Sequence, residues 1–322
     1  MLLLGSQYGF AGTPCIEQKN ISPEITEVYQ SGDFRFFYTD NSKSKHLIPD
    51  QTDRNKNGIP DYIENMAIQA NATAAALKHL GFKAPLTSER YKDVANTIDF
   101  VVHAAKYNGL AFESPVSIQN GTKQQQQCGL KINIRYNLEN FPGTWSIVTH
   151  ELFHLYQYGY TQFKNPWYLE GMTNWLERLI RKERGNKHLS RLPKTAAELE
   201  KNVFSVPYNN LWHRLGFLAR QNNGQLKLPN EILERRYING EKVFKDDLFY
   251  GWFFSLKILQ RLEAESMQIS KQNNLPPYNW EESLQRSKNN NKVILKAIQQ
   301  TMREMQMDKT PEQQAFLAIH TK

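Results

Sequence analysis

Cysteine is scarce in this chain: two residues, Cys15 and Cys128, among 322. So low an even count permits one disulfide in an oxidising compartment or two free thiols. A bridge between them would tie down the N-terminus and contribute about 4 kcal/mol on the chain-entropy account. No run of eighteen apolar residues occurs, which excludes a transmembrane helix. Charge of one sign is nowhere concentrated. Forty Lys and Arg face thirty-two Asp and Glu, a net of +8 and a pI near 9.2. The densest basic stretches, Arg178 to Lys187 and Lys194 to Lys201, are interleaved with Glu and read as solvated helix faces, so no nucleic-acid partner is expected. The segment from Met1 to Gly12 lacks a basic n-region and a full apolar h-region, leaving a frayed terminus or the remnant of a signal peptide. Three N-x-[ST] sequons, at Asn20, Asn71 and Asn120, are no more than an Asn-rich chain produces by chance.

What is present is core. Hydrophobic residues make up 40% of the chain and aromatics 12%, too rich for disorder. Ser31 to Tyr38, Thr97 to His103 and Leu130 to Tyr136 have strand composition, and Gln124 to Gln127 reads as a loop. From Pro60 to Gly81, apolar residues recur at three- and four-residue steps, which predicts a helix. After Gly143 helical stripes dominate: Trp145 to Tyr158, Pro166 to Arg184, Ala196 to Phe204, Leu211 to Ala219, Asp247 to Glu265 and Val293 to Met307. Ser270 to Tyr278 is the best linker candidate. The expectation is an α+β fold in three parts: an N-terminal extension over 1–30, an α/β half over 31–165, and a mostly helical half over 166–322.

One constellation carries chemistry. His150-Glu151-Leu-Phe-His154 is an HExxH motif inside an apolar helical stretch. Residues four apart on a helix share a face, so both imidazoles can meet one metal ion while Glu151 reaches a water beside it. A tetrahedral zinc with one open position needs a third protein ligand, and Glu170 follows His154 by sixteen residues at the start of the next helix. Asn174 and Glu177 lie one and two turns further along, where either could orient a ligand histidine. Asp53-Arg-Asn55-Lys-Asn57-Gly58-Ile59-Pro-Asp61-Tyr-Ile-Glu64 fits a twelve-residue calcium loop: side-chain oxygens from Asp53, Asn55, Asn57, Asp61 and Glu64, the carbonyl of Ile59, and Gly58 for the turn. The neutral Asn positions predict modest affinity, and the alternative is an Asn-rich turn leading into a helix.

The pairing of HELFHLYQYGY (His150 to Tyr160) with WYLEGMTNWLE (Trp167 to Glu177) resembles the gluzincin branch of the zincin metallopeptidases. It is most similar to a group of secreted bacterial metallopeptidases with the patterns HEFFHxxQxGY and WxxEGxAxWxE, preceded by a DxNGIPDYxE-like segment, matched here by Asn55 to Glu64. The resemblance covers roughly Asp33 to Glu177. Thr173 departs from the usual Ala. The resemblance implies a zincin-like fold, Zn²⁺ on His150, His154 and Glu170, and Glu151 as general base in hydrolysis of a protein or peptide substrate. It also implies an extracytoplasmic location, secreted or periplasmic. An oxyanion-stabilising group is expected from a later helix: Tyr250 is favoured, with Tyr208 and His213 as alternatives. The competing expectation is a catalytically inactive binding protein of the same fold, stabilised by zinc and calcium.

Overall fold

A computed structural model describes residues 15–18, 21–118, 128–182, 185–220 and 225–320. The expectations for Met1 to Gly12, for the glutamine run, and for the sequons at Asn20 and Asn120 fall outside them.

Seven strands form one mixed sheet: β1 (Ile16–Gln18), β2 (Glu27–Ser31), β3 (Phe34–Tyr38), β4 (Thr97–His103), β5 (Gly109–Ala111), β6 (Val116–Ile118) and β7 (Cys128–Arg135). Their order is β1-β6-β7-β4-β3-β2, with β5 also paired to β7. The strand expected over Ser31 to Tyr38 is present as β3, and it is the second arm of a hairpin whose first arm, β2, ends at Ser31. Gly32, at φ +60°, occupies the first position of a two-residue turn, where only glycine is unstrained. Its first arm, β2, belongs to the stretch expected to be an N-terminal extension.

Alternation sorts the strand residues onto two faces. Phe34, Phe36, Ile98, Phe100, Leu130, Ile132 and Ile134 join the main core under the helices, while Phe37, Val101, Val116 and Ile118 make a small cluster on the other face. On that second face Arg35 makes two 2.7 Å hydrogen bonds to the Asp99 carboxylate, both side chains being buried. Such a pair specifies register more than it adds stability.

The helices are α1 (Asp61–His79), α2 (Ile147–Tyr160), α3 (Pro166–Leu176), α4 (Ala196–Leu199), α5 (Leu211–Leu218), α6 (Asn230–Leu233), α7 (Trp252–Asn273), α8 (Glu282–Gln285), α9 (Asn290–Glu304) and α10 (Pro311–Leu317). Two depart most from expectation. The stretch beginning at Pro166 ends at Leu176 and tightens into a 3₁₀ turn over Glu177–Leu179. The helix expected from Asp247 starts at Trp252, after Gly251 at φ +76°, where a Cβ would lie 2.3 Å from the Cα of Gly216. That helix then runs through the expected linker to Asn273 and ends on Asn274 in the left-handed region.

α2 is buried nearly all round: its apolar residues pack into the core, and its buried Thr149, His150, Glu151, His154 and Gln157 meet polar partners from other elements or from the helix itself. It rests on α1 through a 2.7 Å hydrogen bond between the Thr73 and Thr149 hydroxyls. The core is continuous from Phe34 to Ile319, so the two halves share one interior. Cys15 and Cys128 are bridged, with Cα atoms 6.1 Å apart and a sequence separation of 113. Among the described residues no helix is long and apolar enough to cross a membrane.

Candidate metal centre

α2 and α3 bring the three expected ligands together. His150 Nε2 lies 3.2 Å from His154 Nε2 and 3.3 Å from Glu170 Oε2, and His154 Nε2 lies 3.6 Å from Glu170 Oε1. Glu170 reaches them because Pro166 opens α3 with its missing N–H at the helix start, putting Glu170 just inside the second turn. A tetrahedral ion with bonds of about 2.0–2.1 Å separates its ligand atoms by about 3.3 Å, so the triangle has the right size.

Tautomers argue the same way. His150 Nδ1 is 2.6 Å from Glu177 Oε1, and His154 Nδ1 is 2.9 Å from Gln157 Oε1. Both partners are acceptors, so each Nδ1 carries the proton and each Nε2 turns a lone pair inward. Two imidazole lone pairs and a carboxylate converging in a buried site repel one another unless a cation sits between them.

Of the two orienting groups expected, Glu177 holds His150 and is itself ion-paired with Arg181. Asn174 turns away, its Oδ1 accepting from Lys187 Nζ at 3.4 Å. The orienting group for His154 is Gln157, which was not anticipated, although its place three residues on along the same helix was a readable signal. Thr173 donates to Gln157 Oε1 at 3.0 Å and to the Leu169 carbonyl at 2.8 Å. The position that departs from the resembled pattern thus fixes the amide that orients a ligand.

Glu151 is buried, and burial raises its pKa; His150 and His154 pull it down, Glu170 raises it further, and a hydrogen bond from the Ala111 N–H lowers it. That bond places Glu151 against β5. Phe112 N–H donates to Lys131 O, and Arg135 N–H donates to Asn108 O, so residues 108 and 112 face β7 and residues 109 and 111 face the other way. Among the described residues no strand pairs with that outer edge of β5.

The three candidates for oxyanion stabilisation occupy different surroundings. The Tyr250 ring lies edge-on to Phe217 at 5.7 Å, and its carbonyl accepts from Trp175 Nε1. His213 is buried, and burial together with Lys187, Arg178 and Arg181 pushes its pKa down to about 3. Tyr208, 61% exposed, borders the metal-ligand cluster. Partial burial, the Glu170 charge and a hydrogen bond to Glu170 push its pKa up to about 12, so it stays a phenol throughout the working range.

The candidate calcium loop also closes. Asp53, Asp61 and Glu64 bring carboxylate oxygens within 4.8 Å of one another, and Gly58 turns at φ +85°. Asp53 accepts from the Gly58 N–H at 2.8 Å, while Asn55 and Asn57 donate their amides to Glu64. Arg54 pairs with Asp61 at 2.6 Å. No entering helix precedes the loop, and the Ile59 carbonyl opens directly into Pro60 and α1.

Comparison of the chain with protein families, with curated proteins and with solved structures finds no match.

Proposed function

We propose that this protein is a zinc-dependent metallopeptidase, secreted or periplasmic, of zincin-like fold. The observation that carries the reading is the triangle of His150 Nε2, His154 Nε2 and Glu170 oxygens, 3.2–3.6 Å on a side, with Glu151 beside it and facing the open edge of β5. His150, His154 and Glu170 would hold Zn²⁺, which when bound supplies a Lewis acid and a water of lowered pKa.

The chain's own groups account for the remaining steps. An extended peptide adds to the outer edge of β5 through the backbone groups of Gly109 and the Ala111 carbonyl, the Ala111 N–H being held by Glu151. Glu151 accepts a proton from the attacking water, and its raised pKa suits it to pass that proton to the leaving amine. The Tyr208 hydroxyl, protonated at neutral pH, is the donor best situated for the oxyanion that develops at the carbonyl. Glu177 and Gln157 keep both ligand rings in the tautomer that presents Nε2.

An extracytoplasmic location rests on the Cys15–Cys128 bridge, and its test is a thiol count on protein isolated from its cell: zero is expected, and two free thiols would remove the argument. A structural Ca²⁺ in the loop from Asp53 to Glu64 rests on the motif and the converging carboxylates. Millimolar Ca²⁺ is then expected to raise Tm, and no rise removes the calcium.

The deciding experiment replaces Glu151 with Gln. The variant is expected to keep near-stoichiometric zinc and to lose about 10²–10⁴-fold in peptide hydrolysis. Undiminished hydrolysis overturns the mechanism; absence of zinc from the unaltered protein after reconstitution overturns the reading.

A further inference from the structure

Beyond β5 the chain leaves the metal centre and borders a pocket of about 410 Å³, whose walls include Ala111, Glu113, Lys131, Tyr158, Lys164 and Arg286. Two contacts join the pocket to the centre. The Ala111 N–H is bonded to Glu151, and the Tyr158 ring stacks on His154 with centroids 6.2 Å apart and planes 16° apart. A peptide lying on the outer edge of β5 alternates its side chains to either face, so one residue near the reacting bond points toward this space.

The pocket is unevenly charged. Among the lining residues three cations, Lys131, Lys164 and Arg286, stand against one carboxylate, Glu113. That carboxylate is already shared, by Lys164 at one oxygen and by Arg90 at 2.9 Å from the other. Arg286 pairs with Glu282 at 2.8 Å, but both side chains are more than half exposed, so the pair is weak and yields easily to a competitor. Lys131 is 5% exposed, with Nζ 4.2 Å from the centroid of the Phe112 ring. A charge entering the pocket meets that ammonium with little water between them, so the field there favours an anion over a cation.

We propose that this pocket selects an acidic side chain, aspartate or glutamate, next to the bond that is cut. The proposal rests on the peptidase reading and gives it a substrate class; Lys131, Lys164 and Arg286 are its specificity-determining residues.

The test uses quenched fluorescent peptides that differ only in carrying Glu, Leu or Lys at each position flanking the cleaved bond. They are assayed for hydrolysis by the zinc-loaded protein and, labelled, for binding to the Glu151→Gln variant by fluorescence anisotropy. At one position Glu is expected to exceed Lys by about tenfold or more in kcat/KM and in affinity. Arg286→Glu, at an exposed site, is expected to collapse that ratio toward one, and Lys131→Met to reduce it. Lys296→Glu, an equal change of net charge on an exposed site of α9, is expected to leave the ratio as it was. Equal cleavage of the Glu and Lys peptides, or a ratio indifferent to Arg286→Glu, overturns the pocket assignment while the peptidase reading stands. Selective binding of Glu peptides, lost in Arg286→Glu, with no peptide cut by any zinc-loaded form, upholds the pocket and overturns the peptidase reading. Neither cleavage nor selective binding overturns both.

Discussion

The backbone of Gly109 passes so close to Glu151 that a Cβ added to the glycine would lie 2.5 Å from the Glu151 Cγ and Oε1 atoms. The helix residue proposed as general base and an edge-strand residue with no side chain at all are therefore one unit. The glycine is needed for close approach and not for an unusual φ, since any side chain there pushes the carboxylate off the line between the metal ligands and the strand edge.

Gly109→Ala is accordingly expected to lower kcat about 100-fold through displacement of Glu151. Zinc content stays near one equivalent, because none of the three ligands touches the new methyl group. Steady-state kinetics alongside metal analysis check this; full activity would mean that Glu151 has room to move.

Tyr208 and Tyr250 are separated by phenylalanine variants. Tyr208→Phe removes the hydroxyl beside Glu170 and is expected to cost about 10²–10³-fold in kcat. Tyr250→Phe keeps the ring packed on Phe217 and is expected to stay within a few-fold of the parent. The reverse ranking would restore Tyr250 as the oxyanion donor.

Gln157 orients His154 without touching the proposed metal. Replacing it with Leu keeps much of the volume but leaves the His154 Nδ1–H without its acceptor, and zinc affinity is expected to drop about 10–100-fold. Competition with a chelator of known affinity measures it. Gln157→Glu, which restores an acceptor, is expected to recover most of the loss, and no change in either variant would reduce Gln157 to packing.

The acid limb of stability has an identifiable contributor. Burial raises the Glu113 carboxyl, but Arg90 and Lys164 more than offset it and leave its pKa below the ordinary 4.5. A carboxylate whose folded pKa is depressed stabilises fully above the unfolded value and loses that contribution as pH falls through the folded one. Glu113→Gln is expected to cost about 3 kcal/mol at pH 7, because it leaves the buried Arg90 guanidinium with less compensation. Its urea-denaturation free energy should also decline less steeply than the parent's below pH 4.5. Parallel curves for the two proteins would show that the carboxylate is not linked to folding.

How far the molecule was legible before folding depended on whether a feature was local. The helix through His150 and His154 follows from apolar spacing, and α1 begins at Asp61 behind Pro60 because proline suits a first turn. β4 was bounded correctly by its β-branched and aromatic residues, whereas the three-residue strands β1, β5 and β6 are too short to show a period. The hairpin at Gly32 was missed because Ser31-Gly32-Asp33 shows itself as a turn only once the partner strand of β3 is known.

Spacing along one helix, set by 3.6 residues per turn, was enough to put His150 and His154 on a common face with Glu151 beside them, and the need for a third ligand, with the resemblance of Trp167 to Glu177, nominated Glu170. Which tyrosine stands beside Glu170, that Thr173 fixes Gln157 against the second imidazole, that Asn174 turns to Lys187, and that β5 passes close by Glu151 were decided by tertiary structure. Each joins residues from different elements, and the contact energy that selects one arrangement exists only after α2, α3, β5 and the loop before α5 have packed against one another.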